Sequence, residues 1–326
     1  MTEIDLDHRR QSKAATAELR ADVVAGLTAA RKWLPVKWFY DDVGSELFEK
    51  ITQLPEYYPT RCEREVLATH AGEVAALTGA RTLIELGSGS SEKTRLLLDA
   101  LSGHGTLTEF VPLDVSESAL AAAAGAISGD YPGLTVRGVI GDFTQPLDRL
   151  PGDGPRLVAF LGGTFGNFLP EERAALLRSL RGVLAPGGWL LLGTDLVKAP
   201  DVLERAYDDA AGVTAAFDKN VLRVINDRLG ADFDLDEFEH VSCWDAEHEW
   251  IEMRLRASRA LTIEIPGAGL TVRFAAGEHI RTEISAKFRQ GGVDAELSAA
   301  GFALDRWWTD SRQRYGVSLA QAVLPR

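Results

Sequence analysis

The stretch TLIELGSGSSEKTR, residues 82–95, constrains the fold of this 326-residue chain more than any other segment. Residues 82–86 are mostly aliphatic and predict a buried strand that runs into Gly87 and Gly89. Glycines at a strand end let a ligand approach bare backbone where no Cβ intrudes. The pattern that follows predicts a helix over 92–101, whose first N–H groups lack partners within the helix. The segment therefore predicts a ligand site at the end of a strand.

Two acidic residues follow the next two predicted strands. Asp114 stands at the tip of VPLDVS, where a carboxylate can accept hydrogen bonds from both ribose hydroxyls of a nucleoside. In GVIGDFTQ, Asp142 can meet an adenine amino group, and the ring of Phe143 can lie against the base. A glycine loop, a ribose acid and an adenine acid, in this order, are the pattern of an S-adenosylmethionine (SAM) methyltransferase.

Other nucleotide sites fit the segment less well. A dinucleotide site needs G-x-G-x-x-G, and Glu92 stands at the third glycine position. A P-loop needs a glycine directly before the Lys93-Thr94 pair, and that glycine is missing. We therefore interpret Lys93 as a surface residue or a neighbour of the SAM carboxylate. The alternative without a ligand is an ordinary strand–glycine–helix turn of an α/β protein, which the two correctly spaced acids disfavour.

The order of patterns along the chain predicts an α/β fold. Strands alternate with helices, which is typical of a parallel, doubly wound sheet with its ligand crevice at the carboxyl ends of the strands. The predicted strands are 82–86, 110–114, 135–140, 156–162 and 189–195, and the helices between them are 92–101, 116–128 and 170–184. A helix over 293–300 and two strands, 303–309 and 315–324, then predict a closing antiparallel hairpin.

Two segments lie outside this alternation and predict a second, smaller α+β domain. Residues 1–60 have helical patterns and a turn-rich segment, 200–240 are helical and acidic, and 241–285 alternate like antiparallel strands. The expected division is 62–196 plus 287–326 for a Rossmann-like class I SAM methyltransferase domain. Residues 9–61 plus 197–286 would form a substrate-binding lid domain.

Composition excludes several classes of function. The net charge is −13, from 35 basic and 48 acidic residues, which disfavours binding to nucleic acid phosphates. Two cysteines and six scattered histidines form no metal-binding spacing, so we expect no metal. The polar N-terminus lacks a secretion signal, and no apolar run is long enough to span a membrane. We expect a cytoplasmic monomer with no nucleic acid or membrane partner.

Methyl transfer to a small acceptor needs a pocket that aligns a lone pair and excludes water. In FLGGTFGNFLP, the amide of Asn167 can donate to a carboxylate and accept from an amine, which suits an α-amino acid. Asn167 could equally cap the helix that begins near Pro170. Tyr40, Tyr57 and Tyr207 lie in apolar surroundings, where a tyrosine more often packs than binds a ligand.

The stretch RTEIS places Glu283 and Ser285 on one face of a predicted strand. A carboxylate and a hydroxyl side by side can bind the two ring nitrogens of an imidazole, and Met253 can form an adaptable apolar wall. Alternation alone leaves open that these residues are solvated strand residues. None of the six histidines is assigned a catalytic role.

Several segments together resemble one known family, the L-histidine Nα-methyltransferases of ergothioneine biosynthesis. The resemblance spans nearly the whole chain, including the second domain, and is more specific than the general SAM motifs. It rests on KWFYDDVGSELFEKITQLPEYYPTRCE, LIELGSGSSEKTR, GDF, FLGGTFGN, GTDLVK, RAYDDAAGVTAAFDKNVL, ADFDLDEFEH and the TEIS–KFR stretch.

The resemblance implies three successive methylations of the histidine α-amine, giving hercynine, with SAM as donor and mono- and dimethylated histidine as intermediate substrates. It also implies a role for each matching residue. The implied SAM contacts are Gly87, Lys93, Asp114, Asp142 and Phe143. The implied contacts to the acceptor's amino and carboxylate groups are Tyr57, Asn167 and Tyr207. Glu283 and Ser285 would recognise the imidazole, Met253 would line that end, and Tyr40 would lie near the reaction centre with Tyr57 and Asn167.

Two other functions stay open from the residues alone. A methyltransferase for another small amine or amino acid would share the SAM site and differ at the ring end of the pocket. A non-catalytic SAM-binding subunit would keep the SAM site, but it would have no reason to keep Tyr57, Asn167, Glu283 and Ser285 together.

Overall fold

The computed structural model describes residues 3–4, 8–89, 91–141 and 154–323. Within these residues the chain forms α-helices joined by strands and short 3₁₀ turns. The helices are α1 (His8–Leu27), α2 (Asp42–Gln53), α3 (Pro59–Thr78), α4 (Thr94–His104), α5 (Glu117–Asp130), α6 (Pro170–Val183), α7 (Pro200–Ala206), α8 (Val213–Leu229) and α9 (Gln290–Ala299).

The strands of the same part of the chain form three sheets. They are β1 (Glu3–Ile4), β2 (Lys32–Trp33), β3 (Thr82–Leu86), β4 (Glu109–Asp114), β5 (Thr135–Ile140), β6 (Arg156–Phe160), β7 (Trp189–Asp195), β8 (Phe238–Asp245), β9 (Trp250–Ala257), β10 (Leu261–Ile265), β11 (Leu270–Phe274), β12 (His279–Ala286), β13 (Phe302–Thr309) and β14 (Tyr315–Ala322).

The largest sheet has the order β1-β5-β4-β3-β6-β7-β14-β13. Strands β5, β4, β3, β6 and β7 run parallel to one another, and β14 runs antiparallel to both β7 and β13. The order reverses at β3, where one half of the sheet continues through β4 and the other through β6. Such a switch point places a ligand crevice at the carboxyl end of the first strand. The predicted Rossmann-like α/β sheet with a closing antiparallel hairpin is confirmed.

The strands in the middle of this sheet are apolar because helices cover them on both faces. Every residue of β3 and of β7 is buried, as expected for a parallel sheet between two helical layers. Among the covering helices, α4 follows β3, α5 follows β4 and α6 precedes β7. The carboxyl ends of β3 and β4 are therefore held in place by the packed core of the sheet.

A second set of elements forms its own two sheets. One has the order β2-β12-β9-β8, and the other is the antiparallel pair β10-β11. Strands β8 and β9 are antiparallel over eight paired positions, and β12 pairs with β2 in parallel. The buried side of α8, which includes Phe217, Val221 and Ile225, contributes to this core.

The chain divides into two compact units. Unit 1 comprises Pro59–Lys198 and Ala286–Arg326 together with β1, and unit 2 comprises Leu6–Tyr58 and Ala199–Ser285. Each unit is thus built from segments that are separated in the sequence. That unit 1 binds SAM and unit 2 binds the acceptor stays a prediction.

Several element bounds differ from the predicted ones for local reasons. Helix α4 begins at Thr94 rather than at residue 92, since Ser91 has a left-handed backbone with φ +54°. Strand β6 ends at Phe160 because Gly162 and Gly163 have φ values of +83° and +77°, which no strand accommodates. The two-residue strands β1 and β2 were not predicted, because two residues carry no periodic pattern. Strand β12 also pairs in parallel with β2, which lies outside the segment 241–285 that was predicted to form antiparallel strands.

None of the helices in the described ranges is long and apolar enough to cross a membrane. Both cysteines, Cys62 and Cys243, are free thiols.

Candidate active site

The glycine loop after β3 is held against the end of β4. The N–H of Gly87 donates to the carbonyl of Leu113 at 2.8 Å. The N–H of Gly89 donates to Asp114 Oδ2 at 2.9 Å, and the N–H of Ser116 donates to Oδ1 of the same carboxylate at 2.9 Å. The predicted SAM residues Gly87 and Asp114 therefore lie together at the carboxyl ends of β3 and β4.

The backbone of this loop has the shape that a close-bound ligand needs. Gly87 and Gly89 have φ values of +67° and +48°, in the left-handed region that residues with a Cβ rarely adopt. A Cβ built at Gly89 would meet no described atom within 4 Å, so the loop faces open space there. A nucleoside ribose beside Asp114 fits this arrangement. Asp142 and Phe143 lie outside the described residues.

The acid Glu85 lies beneath the loop, inside the sheet. Its carboxylate accepts hydrogen bonds from the hydroxyls of Ser91, at 3.1 Å, and Thr94. Burial raises the pKa of Glu85 to about 7 in spite of these hydrogen bonds and of the nearby Lys93 charge. The side chain thus ties the glycine loop to the first turn of α4, and it takes up a proton near neutral pH.

Lys93 forms an ion pair with Glu63 of α3 and is not a free surface residue. Glu63 is fully buried, and its carboxylate also accepts from the N–H of Gly162 at 2.9 Å and from the hydroxyl of Tyr315 at 2.8 Å. Gly193 leaves the necessary space, because a Cβ there would lie 2.2 Å from Glu63 Oε1. One carboxylate therefore joins α3, the start of α4, the turn after β6 and β14.

We expect Glu63→Ala to lower the stability of the protein by about 3 kcal/mol, because it removes one partner of a buried ion pair and the carboxylate that accepts from Gly162 and Tyr315. Thermal unfolding monitored by circular dichroism measures this effect. Glu65→Ala on the same helix is the matched control, since Glu65 is exposed and its carboxylate accepts from the Ser311 N–H. Equal losses of stability in the two variants would show that the buried contacts of Glu63 stabilise the protein no more than those of an exposed glutamate.

Asn167 lies at the end of a 3₁₀ turn, Thr164–Asn167, that follows β6. The N-cap of α6 is Leu169, whose N–H is bound by the side chain of Glu172 at 2.7 Å. The alternative that Asn167 caps this helix is therefore wrong. Asn167 is half-buried, and no hydrogen bond joins its side chain to another residue in the described ranges.

The turn that carries Asn167 packs against aromatic side chains and the backbone of Ala286. The ring of Phe165 stacks on Phe288 with centroids 5.5 Å apart, and the guanidinium of Arg173 lies over both rings. A Cβ at Gly166 would lie 2.8 Å from the carbonyl oxygen of Ala286, so only glycine fits this approach. These contacts fix the backbone on which Asn167 stands.

The predicted tyrosines of unit 2 lie in one aromatic cluster. The rings of Tyr57 and Tyr207 meet edge to face with centroids 6.1 Å apart. Tyr40 packs against Phe48 and Phe217 at 5.6 and 5.4 Å, and Phe48 contacts Tyr57 at 6.3 Å. The packing expected for tyrosines in such segments is present.

Ser285 connects this cluster to β12. Its Oγ lies 2.7 Å from the hydroxyl of Tyr207, and both groups are buried. Glu283, two residues earlier on the strand, is half-buried. Met253 on the adjacent β9 is buried, and its carbonyl accepts a hydrogen bond from Thr282 at 3.0 Å. The alternative of solvated strand residues is therefore wrong for Ser285 and Met253.

The sequence predictions missed Glu63 and Glu85, although each leaves a signal. Glu63 is three and four residues before Val66 and Leu67, on the buried side of α3. Glu85 interrupts an otherwise apolar strand. An acid on an apolar face needs partners in the fold, and this signal would have found both residues. No group of three or more potential metal ligands occurs in the parts of the chain that the structure describes.

Comparison with known proteins gives matches over nearly the whole chain. The family described as "Histidine-specific methyltransferase, SAM-dependent" matches residues 19–322. Histidine N-alpha-methyltransferase of Mycolicibacterium smegmatis is 55% identical over 307 residues, which are 94% of this chain and 96% of that protein. The protein of the same name from Mycobacterium tuberculosis is 55% identical over 302 residues, 93% and 94% of the two chains. Ergothioneine biosynthesis protein 1 of Schizosaccharomyces pombe is 31% identical over 242 residues, 71% of this chain and 31% of that longer protein.

Proposed function

The chain belongs to the family of SAM-dependent, histidine-specific methyltransferases, and from this premise we propose that it converts L-histidine to its Nα-trimethyl form, hercynine. It is a methyltransferase that uses SAM as the methyl donor and acts on histidine in ergothioneine biosynthesis. The proposal adds that three methyl groups are transferred in succession, so mono- and dimethylhistidine are also substrates.

The observation that carries the proposal is the 55% identity over 94% of the chain. A match confined to unit 1 would indicate a SAM methyltransferase and nothing about the acceptor. This match extends through unit 2, which holds the predicted acceptor residues Tyr57, Tyr207, Met253, Glu283 and Ser285.

In unit 1 we assign SAM binding to the glycine loop and the acid beside it. Asp114 stands where it can accept from ribose hydroxyls, and Gly87 and Gly89 keep side chains away from the ligand. Lys93 is assigned to the SAM carboxylate, with Glu63 holding its ammonium group near the loop. Bound SAM supplies a methyl group already activated by the sulfonium charge, so the chain's task is chiefly alignment and exclusion of water.

We assign the acceptor's α-amino and carboxylate groups to Asn167, Tyr57 and Tyr207. The Asn167 amide can donate to a carboxylate and accept from an amine, so it can orient the nitrogen lone pair. Glu283 and Ser285 are assigned to the imidazole, and Met253 to the apolar wall beside it. The carboxylate can accept from a ring N–H, which tyrosine and phenylalanine side chains lack.

The α-ammonium group must lose a proton before each transfer. We propose that this proton leaves to water or through a tyrosine hydroxyl, with Tyr40 and Tyr57 as the candidates. The trimethylated product keeps a permanent positive charge, and the aromatic faces of Tyr40 and Tyr57 can stabilise this charge by cation–π attraction.

A turnover screen tests the proposal. Purified protein is incubated with SAM and each of the twenty amino acids, and S-adenosylhomocysteine is measured. We expect histidine to exceed every other amino acid and to yield three equivalents of S-adenosylhomocysteine per hercynine. Faster turnover of another amino acid would favour the alternative acceptor, and SAM binding without any turnover would favour a non-catalytic subunit. We also propose a monomer in the cytoplasm, which size-exclusion chromatography and cell fractionation would test.

A further inference from the structure

A buried histidine in unit 2 lies behind the proposed acceptor tyrosine. His240 on β8 places Nδ1 2.6 Å from Oδ2 of Asp218 on α8. Its Nε2 lies 2.8 Å from the backbone carbonyl oxygen of Tyr207. The side chains of His240 and Asp218 are 2% and 0% exposed. Neither residue belongs to the acceptor set described above.

The chemistry of the three groups fixes where one proton must be. A carbonyl oxygen can only accept, so Nε2 of His240 must carry a hydrogen to bind Tyr207. Asp218 either accepts from Nδ1 of an imidazolium or, if protonated, donates to Nδ1 of a neutral ring. Both states keep the hydrogen on Nε2. A neutral ring with its hydrogen on Nδ1 would turn a bare nitrogen towards the carbonyl oxygen.

The electrostatic surroundings favour the protonated state of the His240 ring. Burial lowers the pKa of His240, but the hydrogen bond and charge of Asp218, the Tyr207 carbonyl and the more distant Asp208 outweigh it, so the pKa is raised. Asp218 Oδ1 has no hydrogen-bond partner among the described residues. The main stabilisation of this buried carboxylate therefore comes from His240.

Tyr207 is the C-cap of α7, so its backbone lies where helix carbonyls lack partners within the helix. His240 binds its carbonyl, and a positive ring there is also favoured by the helix dipole. At the other end of the side chain, the hydroxyl lies 2.7 Å from Ser285 Oγ. The tyrosine is therefore held at its backbone and at its hydroxyl.

We propose that His240 and Asp218 act as a positioning pair that fixes Tyr207 for binding of the amino-acid acceptor. The pair touches neither substrate nor donor and acts only through Tyr207. This inference rests on the histidine methyltransferase function proposed above, and in particular on the assignment of Tyr207 to the acceptor.

Three variants test the roles of His240 and Asp218 one at a time. In His240→Phe the donor to Tyr207 is lost, and we expect the KM for histidine to rise about tenfold, as for one lost buried hydrogen bond from a charged group. In Asp218→Leu the His240 ring loses the partner that sets its protonation, and we expect the KM for histidine to rise as well. Asp218→Asn should restore a KM near the wild-type value, because the amide can donate to Nδ1 and leave the hydrogen on Nε2. Affinity for SAM, measured by titration calorimetry, should stay at the wild-type value in all three.

Two controls distinguish positioning from a general loss of stability. Asp245→Ala removes the carboxylate at the end of β8 that pairs with His248 in the following turn, where Oδ2 and Nδ1 lie 2.9 Å apart. Val272→Ala removes buried apolar volume from β11 and should lower the melting temperature. Neither control should change the KM for histidine.

Nitrogen-15 NMR of the histidine rings provides a readout that does not depend on turnover. The Nε2–H signal that disappears in His240→Phe should persist in the wild type and in Asp218→Asn, and it should weaken in Asp218→Leu. An unchanged KM in His240→Phe, or a Val272→Ala variant that raises KM equally, would overturn the positioning role. If the wild type does not methylate histidine at all, the proposed function itself is wrong, which is a separate result.

Discussion

Replacing Glu283 with alanine is expected to raise the KM for histidine roughly ten- to a hundredfold, the range for loss of one hydrogen bond to a charged group. Glu283 is half-buried on β12, two residues before Ser285, which lies 2.7 Å from Tyr207. A carboxylate here would bind the ring N–H of the acceptor, so its removal leaves that donor unpaired. Steady-state kinetics at saturating SAM measure the effect.

The controls for Glu283→Ala test whether the loss is confined to the acceptor. Affinity for SAM should be unchanged, since the assigned SAM residues all lie in unit 1. Glu239→Ala removes an exposed acid of β8 that pairs with Arg256, and it should leave the histidine KM unaltered. A Glu283 variant that lost SAM binding and kept the histidine KM would contradict the assigned role.

Replacing Asp114 with alanine should have the opposite selectivity. We expect the affinity for SAM to fall roughly ten- to a hundredfold, because a charge-assisted contact to the ribose is lost. The carboxylate also accepts from the N–H groups of Gly89 and Ser116, so the glycine loop loses an anchor in the same change. Titration calorimetry with SAM measures the affinity, and the histidine KM at saturating SAM should change little.

Asp114→Asn separates the two contributions of this residue. Its one carbonyl oxygen can still accept from a single backbone N–H, so a smaller loss of SAM affinity than in Asp114→Ala is expected. Asp130→Ala at the end of α5 is a control, because its exposed carboxylate pairs only with Arg95 among the ion pairs described. If both variants of Asp114 bound SAM like the wild type, the ribose would have to lie elsewhere.

The sheet of unit 1 was predictable because its signals are local. Apolar runs such as residues 82–86 and 189–195 are strands in the structure over the predicted residues. The sequence predicted the ends of elements less well, because single residues decide where a helix or strand begins and ends. Ser91, with its left-handed backbone, delays α4, and the glycines after Phe160 end β6 early.

The candidate site was predicted in part. Tyr207 contacts both Tyr57 and Ser285, and Gly87 and Asp114 lie at the carboxyl ends of the neighbouring strands β3 and β4. The helix-capping alternative for Asn167 could not be decided from residue type, because a cap depends on which residue's N–H groups end the helix. The roles assigned to all these residues stay predictions until variants are measured.

The alternation of strands and helices, the glycine loop and the family could all be inferred from the chain alone, since each depends on neighbouring residues or on similarity along the chain. The folded structure was needed to show that Glu63 binds Gly162 and Tyr315, which are 99 and 252 residues away, and that His240 binds the Tyr207 carbonyl. Buried polar groups must find partners wherever the fold places them, and residue patterns do not record which distant group that is.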